Sequence, residues 1–182
     1  MKNFLIIIFL SFFVFDNLLA NQEVINSLKI GGKLVFIRHA IAPGGGDPDH
    51  FVIKDCSTQR NLNSAGIAQA KRIGEFFKDN NISINQVLSS EWCRCKDTAK
   101  KAFKNYKTFN ALNSFFSSKF AENKQQQMKD LKAFVKNWNG KKNIVFVTHY
   151  IVISEVLNIP VKSGTIIVAD KNFKVIGTIE TN

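Results

Sequence analysis

Leu34-Val35-Phe36-Ile37 is a run of four apolar residues that leads directly into Arg38 and His39. A short, wholly apolar run with β-branched residues is typical of a strand that is buried on both faces of a sheet. A second strand is predicted at 84–88, and a second wholly apolar run, 144–147, predicts a third strand. The centre of the protein is therefore predicted to be a buried sheet.

Helices are predicted between these strands. Apolar residues recur at spacings of three and four in two segments, 67–77 and 128–138, which indicates amphipathic helices. Ser64 is predicted to cap the first of them. The remaining predicted elements are helices at 22–30, 98–106 and 151–157 and strands at 165–169 and 174–179. Because strands that alternate with helices form mostly parallel sheets, we predict a three-layer α/β/α domain over residues 21–182 with a mostly parallel central sheet.

The composition excludes several classes of protein. Hydrophobic residues make up 45% of the 182 residues and charged residues 21%, which suits a packed core and argues against disorder. Three cysteines are too few for a zinc site built from four. The net charge of +11 comes mainly from scattered lysines, and no nucleic-acid-binding module is recognisable. We expect no nucleic-acid partner and an attraction to small anionic phosphate substrates.

The first 20 residues are typical of a secretory signal. A positively charged start is followed by an almost wholly apolar run, 4–15, and the segment ends at the small residue Ala20. We predict cleavage after Ala20, a mature domain of residues 21–182 in the periplasm or outside the cell, and no stable membrane span after cleavage. The alternative is an uncleaved anchor, but the apolar run is shorter than the roughly 18 residues of a membrane span.

Polar residues follow three of the predicted strands at their carboxyl ends. Arg38 and His39 follow the first strand, Arg94 comes shortly after the second, and His149 follows the third. Ligands of open α/β sheets bind beyond these strand ends, so the four side chains are predicted to meet. Two of the chain's four arginines and two of its three histidines would form a cationic pocket. Such a pocket suits a phosphoryl group, and an imidazole beside that group can act as a nucleophile.

Five segments together resemble the motifs of the histidine phosphatase superfamily, which includes the cofactor-dependent phosphoglycerate mutases. Residues 35–40 resemble its Arg-His-Gly signature, with alanine replacing glycine as in some small, phosphohistidine-phosphatase-like members of branch 1. Residues 62–70 resemble its Leu-Thr-x-x-Gly-x-x-Gln-Ala helix, and 89–99 its Ser-x-x-x-Arg-x-x-x-Thr-Ala segment. Residues 147–149 resemble its late histidine, and 164–168 its closing strand. The resemblance implies a phosphoglycerate mutase-like fold.

The resemblance also implies a metal-independent, cofactor-free phosphatase that acts on a small phosphomonoester or phosphoanhydride. His39 would attack phosphorus and become phosphohistidine, while Arg38, Arg94 and His149 would hold the phosphoryl oxygens. A neutral His39 and a charged His149 would suit these roles, so we expect their pKa values to be split. Arg60 either lines the site or forms a structural ion pair. Mutase activity is not expected, because the segment between Arg94 and His149 is short.

The general acid of the family is missing from its usual place. Many members have a glutamate after a Leu-Asn pair, where this chain has Ser114, and a serine does not protonate a leaving alkoxide usefully. Glu91 is the candidate substitute nearest a motif. Weaker candidates are Asp47, Asp49, Asp55 and His50. Without an acid, the chain would be a phosphatase for good leaving groups, such as anhydrides, phosphoramidates or aryl phosphates. The alternative is a phosphate-binding protein of the same fold that has lost turnover.

The three cysteines lie near these motifs. A disulfide from Cys56 to either Cys93 or Cys95 would fasten the loop before residue 62 to the segment that carries Arg94. Three unpaired thiols are the alternative. Because the number is odd, at least one thiol stays free within the chain in either case.

Overall fold

A computed structural model describes residues 21–181, so the predicted signal segment 1–20 lies outside the described residues. The described chain alternates strands and helices. The strands are β1 (Leu34–Arg38), β2 (Ile84–Ser89), β3 (Lys107–Thr108), β4 (Asn143–Thr148), β5 (Ile166–Ala169) and β6 (Val175–Ile179). The helices are α1 (21–30), α2 (Ser64–Asp79), α3 (Cys93–Phe103), α4 (Lys124–Asn137) and α5 (Tyr150–Leu157). Short 3-10 helices lie at Cys56–Thr58, Asn110–Leu112 and Ser118–Asn123.

The strands form one sheet in the order β3-β2-β4-β1-β5-β6. The first four strands in that order run parallel, and β5 pairs antiparallel with both β1 and β6. β1 and β4 are central, with Ile37 opposite Val147, and every residue of β4 is buried. Their central position explains their apolar sequences, since neither face meets water. The two-residue β3 was not predicted, because its exposed residues show no hydrophobic alternation.

Alternate residues of the central strands face opposite layers of helices, because successive side chains of a strand point to opposite faces. Val35 and Ile37 belong to a core cluster with residues of α1, α2 and α3. Leu34 and Phe36 belong to a second cluster with residues of α4 and α5. The predicted three-layer α/β/α architecture is therefore confirmed. Within residues 21–181, none of the helices combines the length and apolar character needed to cross a membrane.

The start of α2 lies against the segment that follows β1. Its N-cap is Asn63, whose side chain accepts a hydrogen bond from the backbone of Gly66, whereas the predicted cap, Ser64, is the first helical residue. A Cβ atom at position 66 would collide with the carbonyl group of Ile41, so the approach requires glycine. The side chain of Gln69 accepts a hydrogen bond from the backbone N–H of Ile41 at 3.0 Å. These contacts fix the backbone just beyond the end of β1.

Helix α3 begins earlier than predicted. It starts at Cys93 rather than at Thr98, so Arg94 lies in its first turn. It ends at Phe103 rather than three residues later, because Lys104 has a left-handed φ of 64°. The missed first turn matters for the site, since a helical start fixes the direction in which Arg94 leaves the backbone.

Candidate active site

The structure brings the four predicted pocket residues to one cavity at the carboxyl edge of the sheet. His39 follows β1, Arg94 lies in the first turn of α3, and His149 caps α5. Their side chains are only 3%, 4% and 4% exposed. The Nε of Arg94 lies 3.3 Å from Nε2 of His39, and the two imidazole rings are 5.5 Å apart. Arg38 borders the same cavity and is half-buried.

A hydrogen bond determines which ring nitrogen of His39 carries the proton. Its Nδ1 lies 2.9 Å from the carbonyl oxygen of Ala40, and a carbonyl only accepts, so Nδ1 donates and Nε2 keeps a lone pair. Burial holds the pKa of His39 well below its usual value, and the charge of Arg94 is the next largest cause. Arg38 and Arg60 act in the same direction. A neutral imidazole with a lone pair on Nε2 is the form that attacks an electrophile, and in the empty site this lone pair accepts a hydrogen bond from Nε of Arg94.

Arg38 retains a donor without a partner. One terminal guanidinium nitrogen donates to the carbonyl of Val161 at 2.9 Å, and the guanidinium carbon lies 5.8 Å from the centre of the Tyr150 ring. Its Nε is buried, with no hydrogen-bond partner among the described residues. Burial lowers the pKa of Arg38, but an arginine stays charged at neutral pH. A bound anion would satisfy donors that the protein leaves unpaired.

Three side chains contact the imidazole ring of His149. The Oγ of Ser90 lies 2.9 Å from its Nε2, and the Sγ of Cys95 lies 3.4 Å from the same nitrogen. The indole ring of Trp92 meets the imidazole edge-on at 5.4 Å. These contacts fix the imidazole plane relative to the cavity.

The expectation of split histidine pKa values is wrong. Burial holds the pKa of His149 well below its usual value, and the charge of Arg94 is again the second cause. The same two causes lower the pKa of His39. Both imidazoles are therefore neutral at neutral pH, because both are buried beside one guanidinium group.

The cysteines adopt one of the two predicted pairings. Cys56 and Cys93 form a disulfide with Cα atoms 5.7 Å apart. It fastens the loop before α2 to the first residue of α3, next to Arg94. Cys95 is free and buried, and burial raises its pKa to about 12. Because the thiolate is the nucleophilic form, the neutral Cys95 thiol is not a catalytic nucleophile.

A carboxylate that the sequence did not connect to Arg94 lies against it in the cavity. The Oδ1 of Asp47 is 2.7 Å from a terminal nitrogen of Arg94, and it also accepts from the backbone N–H of Arg60 at 3.1 Å. Its Oδ2 accepts from the indole N–H of Trp92 at 3.0 Å. The Asp47 side chain is only 15% exposed. The carboxylate of Asp47 thus occupies a hydrogen-bond donor of Arg94, a residue that is predicted to bind the phosphoryl group of the substrate.

The structure does not bring Glu91 into the cavity. Its Oε2 accepts from the side-chain amide of Asn113 at 2.6 Å, and Glu91 is absent from the cavity wall. Ser114 does border the cavity, at the position where many family members carry an acid. Glu91 is therefore poorly placed to protonate a substrate. Of the weaker candidates, Asp47 and Asp49 border the cavity, whereas Asp55 and His50 do not.

Arg60 borders the cavity and also holds the glycine-rich loop that precedes it in the chain. Its Nε donates to the carbonyl of Gly46 at 2.9 Å, and a terminal nitrogen donates to the carbonyl of Ala42. The two interpretations left open by the sequence were a residue that lines the site and a structural ion pair. Arg60 lines the cavity, and among the described residues its guanidinium hydrogen-bonds to carbonyl groups of the loop rather than to a carboxylate.

The cavity has a volume of about 600 Å³, and aromatic side chains form part of its wall. Phe51 stacks on Trp92 with ring centres 5.2 Å apart, and Phe120 meets both rings edge-on. Phe116 also borders the cavity and is 70% exposed. Among residues 21–181, no three His, Cys, Asp or Glu side chains are grouped as ligands of a metal ion would be. The arrangement therefore offers cationic donors on its buried side and an aromatic surface towards solvent.

Residues 34–139 match the model of the histidine phosphatase superfamily (branch 1). The chain belongs to that superfamily. The matched segment runs from β1 to just beyond α4 and contains Arg38, His39 and Arg94, while His149 lies beyond it. No curated protein sequence matches the chain significantly.

Solved structures share the fold of this family member. A protein from Escherichia coli K-12, named as a candidate alpha-ribazole-5'-P phosphatase, has a TM-score of 0.58 and 20% identity, over 76% of this chain and 90% of that one. The protein histidine phosphatase SixA, complexed with tungstate, has a TM-score of 0.57 and 14% identity, over 82% and 97%. Phosphoglycerate mutase from Thermus thermophilus has a TM-score of 0.57 and 16% identity, over 82% and 99%. At these identities the likeness establishes the fold alone.

Proposed function

We propose that this superfamily member is a phosphatase that hydrolyses a small phosphomonoester or phosphoanhydride through a phosphohistidine on His39, without a metal ion or an organic cofactor. The observation that carries the proposal is the state of Nε2 of His39. This nitrogen is buried, holds a lone pair, and lies 3.3 Å from the guanidinium of Arg94. Membership of the superfamily supports a phosphoryl-transfer reaction.

In the first step, Nε2 of His39 attacks phosphorus. The bond between phosphorus and the leaving oxygen breaks, and its electron pair leaves with that oxygen. The donors of Arg94 and Arg38 hold the non-bridging oxygens, whose charge is spread most widely in the transition state. The lowered pKa of His39 assists this step, because a protonated imidazole has no lone pair to donate.

In the second step, water attacks the phosphorus of the phosphohistidine. The Nε2–P bond breaks, its electron pair returns to Nε2 of His39, and inorganic phosphate is released. His149 faces the same space from α5 and acts as a neutral hydrogen-bonding group, since its pKa is also lowered. Its contact with Ser90 fixes the ring in place for this role.

We also propose that the protein acts in the periplasm or outside the cell. The charge and apolar pattern of residues 1–20 supports export, and the disulfide between Cys56 and Cys93 suits an oxidising compartment. Expression of the full chain in a Gram-negative host, followed by fractionation and intact-mass measurement, tests this. A periplasmic protein that begins at Asn21 is expected. A cytoplasmic protein that retains residues 1–20 would contradict it.

The experiment that tests the catalytic proposal is a comparison of the purified protein with His39→Ala and His50→Ala. His50 is an exposed histidine outside the cavity wall, so its variant is the matched control. We expect His39→Ala to reduce release of p-nitrophenol from p-nitrophenyl phosphate to background, and His50→Ala to resemble the wild type. Rapid quenching of the wild type with radiolabelled substrate should trap an acid-labile phosphoramidate. Wild-type turnover by His39→Ala would overturn the mechanism.

A binding protein without turnover is the second candidate function. Two observations favour it, namely Ser114 in the place of an acid and the carboxylate of Asp47 on the phosphate ligand Arg94. A folded wild type that releases no phosphate, but whose melting temperature rises with phosphate concentration, would support this alternative.

A further inference from the structure

The carboxylate of Asp47 occupies a donor of Arg94, an arginine that is predicted to bind the substrate phosphoryl group. A single guanidinium group, that of Arg94, contacts Nε2 of His39 with one nitrogen and Oδ1 of Asp47 with another. The attacking atom and the carboxylate therefore lie on two donors, Nε and Nη1, of one rigid, planar group. A phosphoryl group bound at His39 would share the positive charge of this group with Asp47.

The two anions do not fit side by side at Arg94. Like charges placed together in a water-poor site repel strongly, and Asp47 is only 15% exposed. Both of its oxygens are occupied by donors in the unliganded protein, since Oδ1 accepts from Arg94 and Arg60 and Oδ2 accepts from Trp92. Substrate binding must therefore move this carboxylate away from Arg94.

The backbone around Asp47 allows such a movement. Three consecutive glycines precede it at 44–46, and Gly44 and Gly46 have φ values of 94° and 73°. A Cβ atom at Gly45 or Gly46 would meet open space, so side-chain packing does not restrain the loop there, and the contact that holds Gly46 is the hydrogen bond from Arg60 to its carbonyl group. Glycines impose little restriction on φ and ψ, and a small change at Gly46 redirects the Asp47 side chain.

Asp47 is also the best-placed carboxyl group for proton transfer. The carboxylates on the cavity wall, among residues 21–181, are Asp47 and Asp49. Asp49 is exposed, whereas Asp47 is next to the groups that hold the phosphoryl oxygens. Glu91 is bonded to Asn113 outside the cavity wall.

We propose that Asp47 neutralises Arg94 in the empty site and, once the substrate phosphoryl group displaces it, protonates the leaving oxygen. This rests on the proposed phosphatase function. The displaced carboxylate takes up a proton from solvent, which the negative charge of the neighbouring phosphoryl group favours. As Nε2 of His39 bonds to phosphorus and the P–O bond breaks, the Asp47 proton passes to the leaving oxygen, which departs as an alcohol or phenol. The resulting carboxylate then accepts a proton from the water that attacks the phosphohistidine, and Asp47 releases this proton to solvent when it pairs with Arg94 again in the empty site.

Asp47→Asn tests both halves of the proposal, because the amide keeps the size and hydrogen-bonding oxygen of the side chain but carries no charge and no acidic proton. For the first half, inorganic phosphate is titrated by calorimetry. We expect Asp47→Asn to bind phosphate at least about tenfold more tightly than the wild type, because the competing anion is gone.

For the second half, two aryl phosphates with similar shapes and different leaving groups are compared. Phenol has a pKa near that of tyrosine, about 10, and needs an acid. p-Nitrophenol is more acidic and needs little help. We expect kcat/KM of Asp47→Asn to fall by about 100-fold or more for phenyl phosphate and by less than about tenfold for p-nitrophenyl phosphate.

Asp55→Asn is the matched control, since it removes the same charge from an exposed position outside the cavity wall. We expect the ratio of its two kcat/KM values to equal that of the wild type and its phosphate affinity to change by less than about twofold. Equal losses on both substrates in Asp47→Asn would overturn the proposal, and so would phosphate binding that is unchanged or weaker. These outcomes differ from failure of the phosphatase function itself, which wild-type turnover by His39→Ala would reveal.

Discussion

Arg94 links His39 to Asp47 through two nitrogens of one guanidinium group. Its Nε lies 3.3 Å from Nε2 of His39, and a terminal nitrogen lies 2.7 Å from Oδ1 of Asp47. The Arg94 side chain is therefore held both by His39, the proposed nucleophile, and by Asp47 of the glycine-rich loop. The consequences of this link, and of the burial around it, can be measured.

Replacement of Arg94 by lysine is expected to reduce kcat/KM for p-nitrophenyl phosphate by about 100-fold or more. An ammonium is a single point charge, and it does not reach both His39 and Asp47 in the geometry of a planar fork. Steady-state kinetics measures the change. Arg72→Lys is the control, because Arg72 is exposed on α2 and, within residues 21–181, its guanidinium hydrogen-bonds only to the carbonyl of Thr181, at 3.4 Å. Losses of similar size in both variants would contradict a role for the fork.

Ser90→Ala is expected to lower kcat by about tenfold while KM changes less, because one hydrogen bond that orients His149 is lost. Ser90 acts here as a positioning residue. The second readout is the NMR signal of the His149 ring nitrogens, which should shift in this variant. Ser89→Ala is the control, since Ser89 is equally buried but donates to the backbone of Ser90 instead. An unshifted His149 signal would show that Ser90 does not position the ring.

The stability of the protein is expected to fall as the pH falls below about 6.5. The pKa values of His39 and His149 are held well below their usual value in the folded protein, mainly by burial. In the unfolded chain both histidines bind protons near pH 6.5, so the unfolded state takes up more protons than the folded state and is favoured by acid. Melting temperatures between pH 7.5 and 5.5 measure the effect.

The double variant His39→Asn/His149→Asn should show a shallower fall of melting temperature over the same pH range. His50→Ala should follow the wild type, since His50 is exposed and lies outside the cavity wall. A wild-type melting temperature that stays level or rises on acidification would contradict the assigned direction of both pKa shifts.

Loss of the disulfide is expected to cost about 4 kcal/mol of unfolding free energy, from the chain entropy of a loop with a sequence separation of 37. Denaturant titration of Cys56→Ser/Cys93→Ser measures this. A reductant should lower the melting temperature of the wild type and leave that of the double variant unchanged. Cys95 should resist alkylation until the protein unfolds, because it is buried and its pKa is raised to about 12. Rapid alkylation of the folded protein would contradict this placement.

Phe116→Ala is expected to raise KM for phenyl phosphate by about fivefold, because a ring of the cavity wall no longer packs against the aryl group. KM for methyl phosphate should change by less than about twofold, because its methyl group is too small to pack against the ring of Phe116. Ile176→Ala is the control, as Ile176 is an exposed apolar side chain on β6, outside the cavity wall. Equal KM changes for both substrates would argue against an aromatic leaving-group site.

The layers of the fold and the chemistry at the strand ends could be predicted from the amino-acid sequence alone. Strands buried on both faces need apolar runs such as 34–37 and 144–147, and these runs are visible without a structure. His39 and His149 follow such runs directly, so their meeting at the edge of one sheet follows from the parallel topology. Arg94 was identifiable through its motif, although the first turn of α3 around it was not.

The contacts between these residues depend on the three-dimensional packing of the domain and could not be predicted from the sequence. Asp47 sits in a glycine-rich loop with no periodicity, and its contact with Arg94 depends on a backbone path that the local sequence leaves free. The choice of Cys93 over Cys95 depends on which side of α3 faces the loop before α2. The shared lowering of the pKa values of His39 and His149 arises from burial, which is a property of the whole packed domain and not of any one segment.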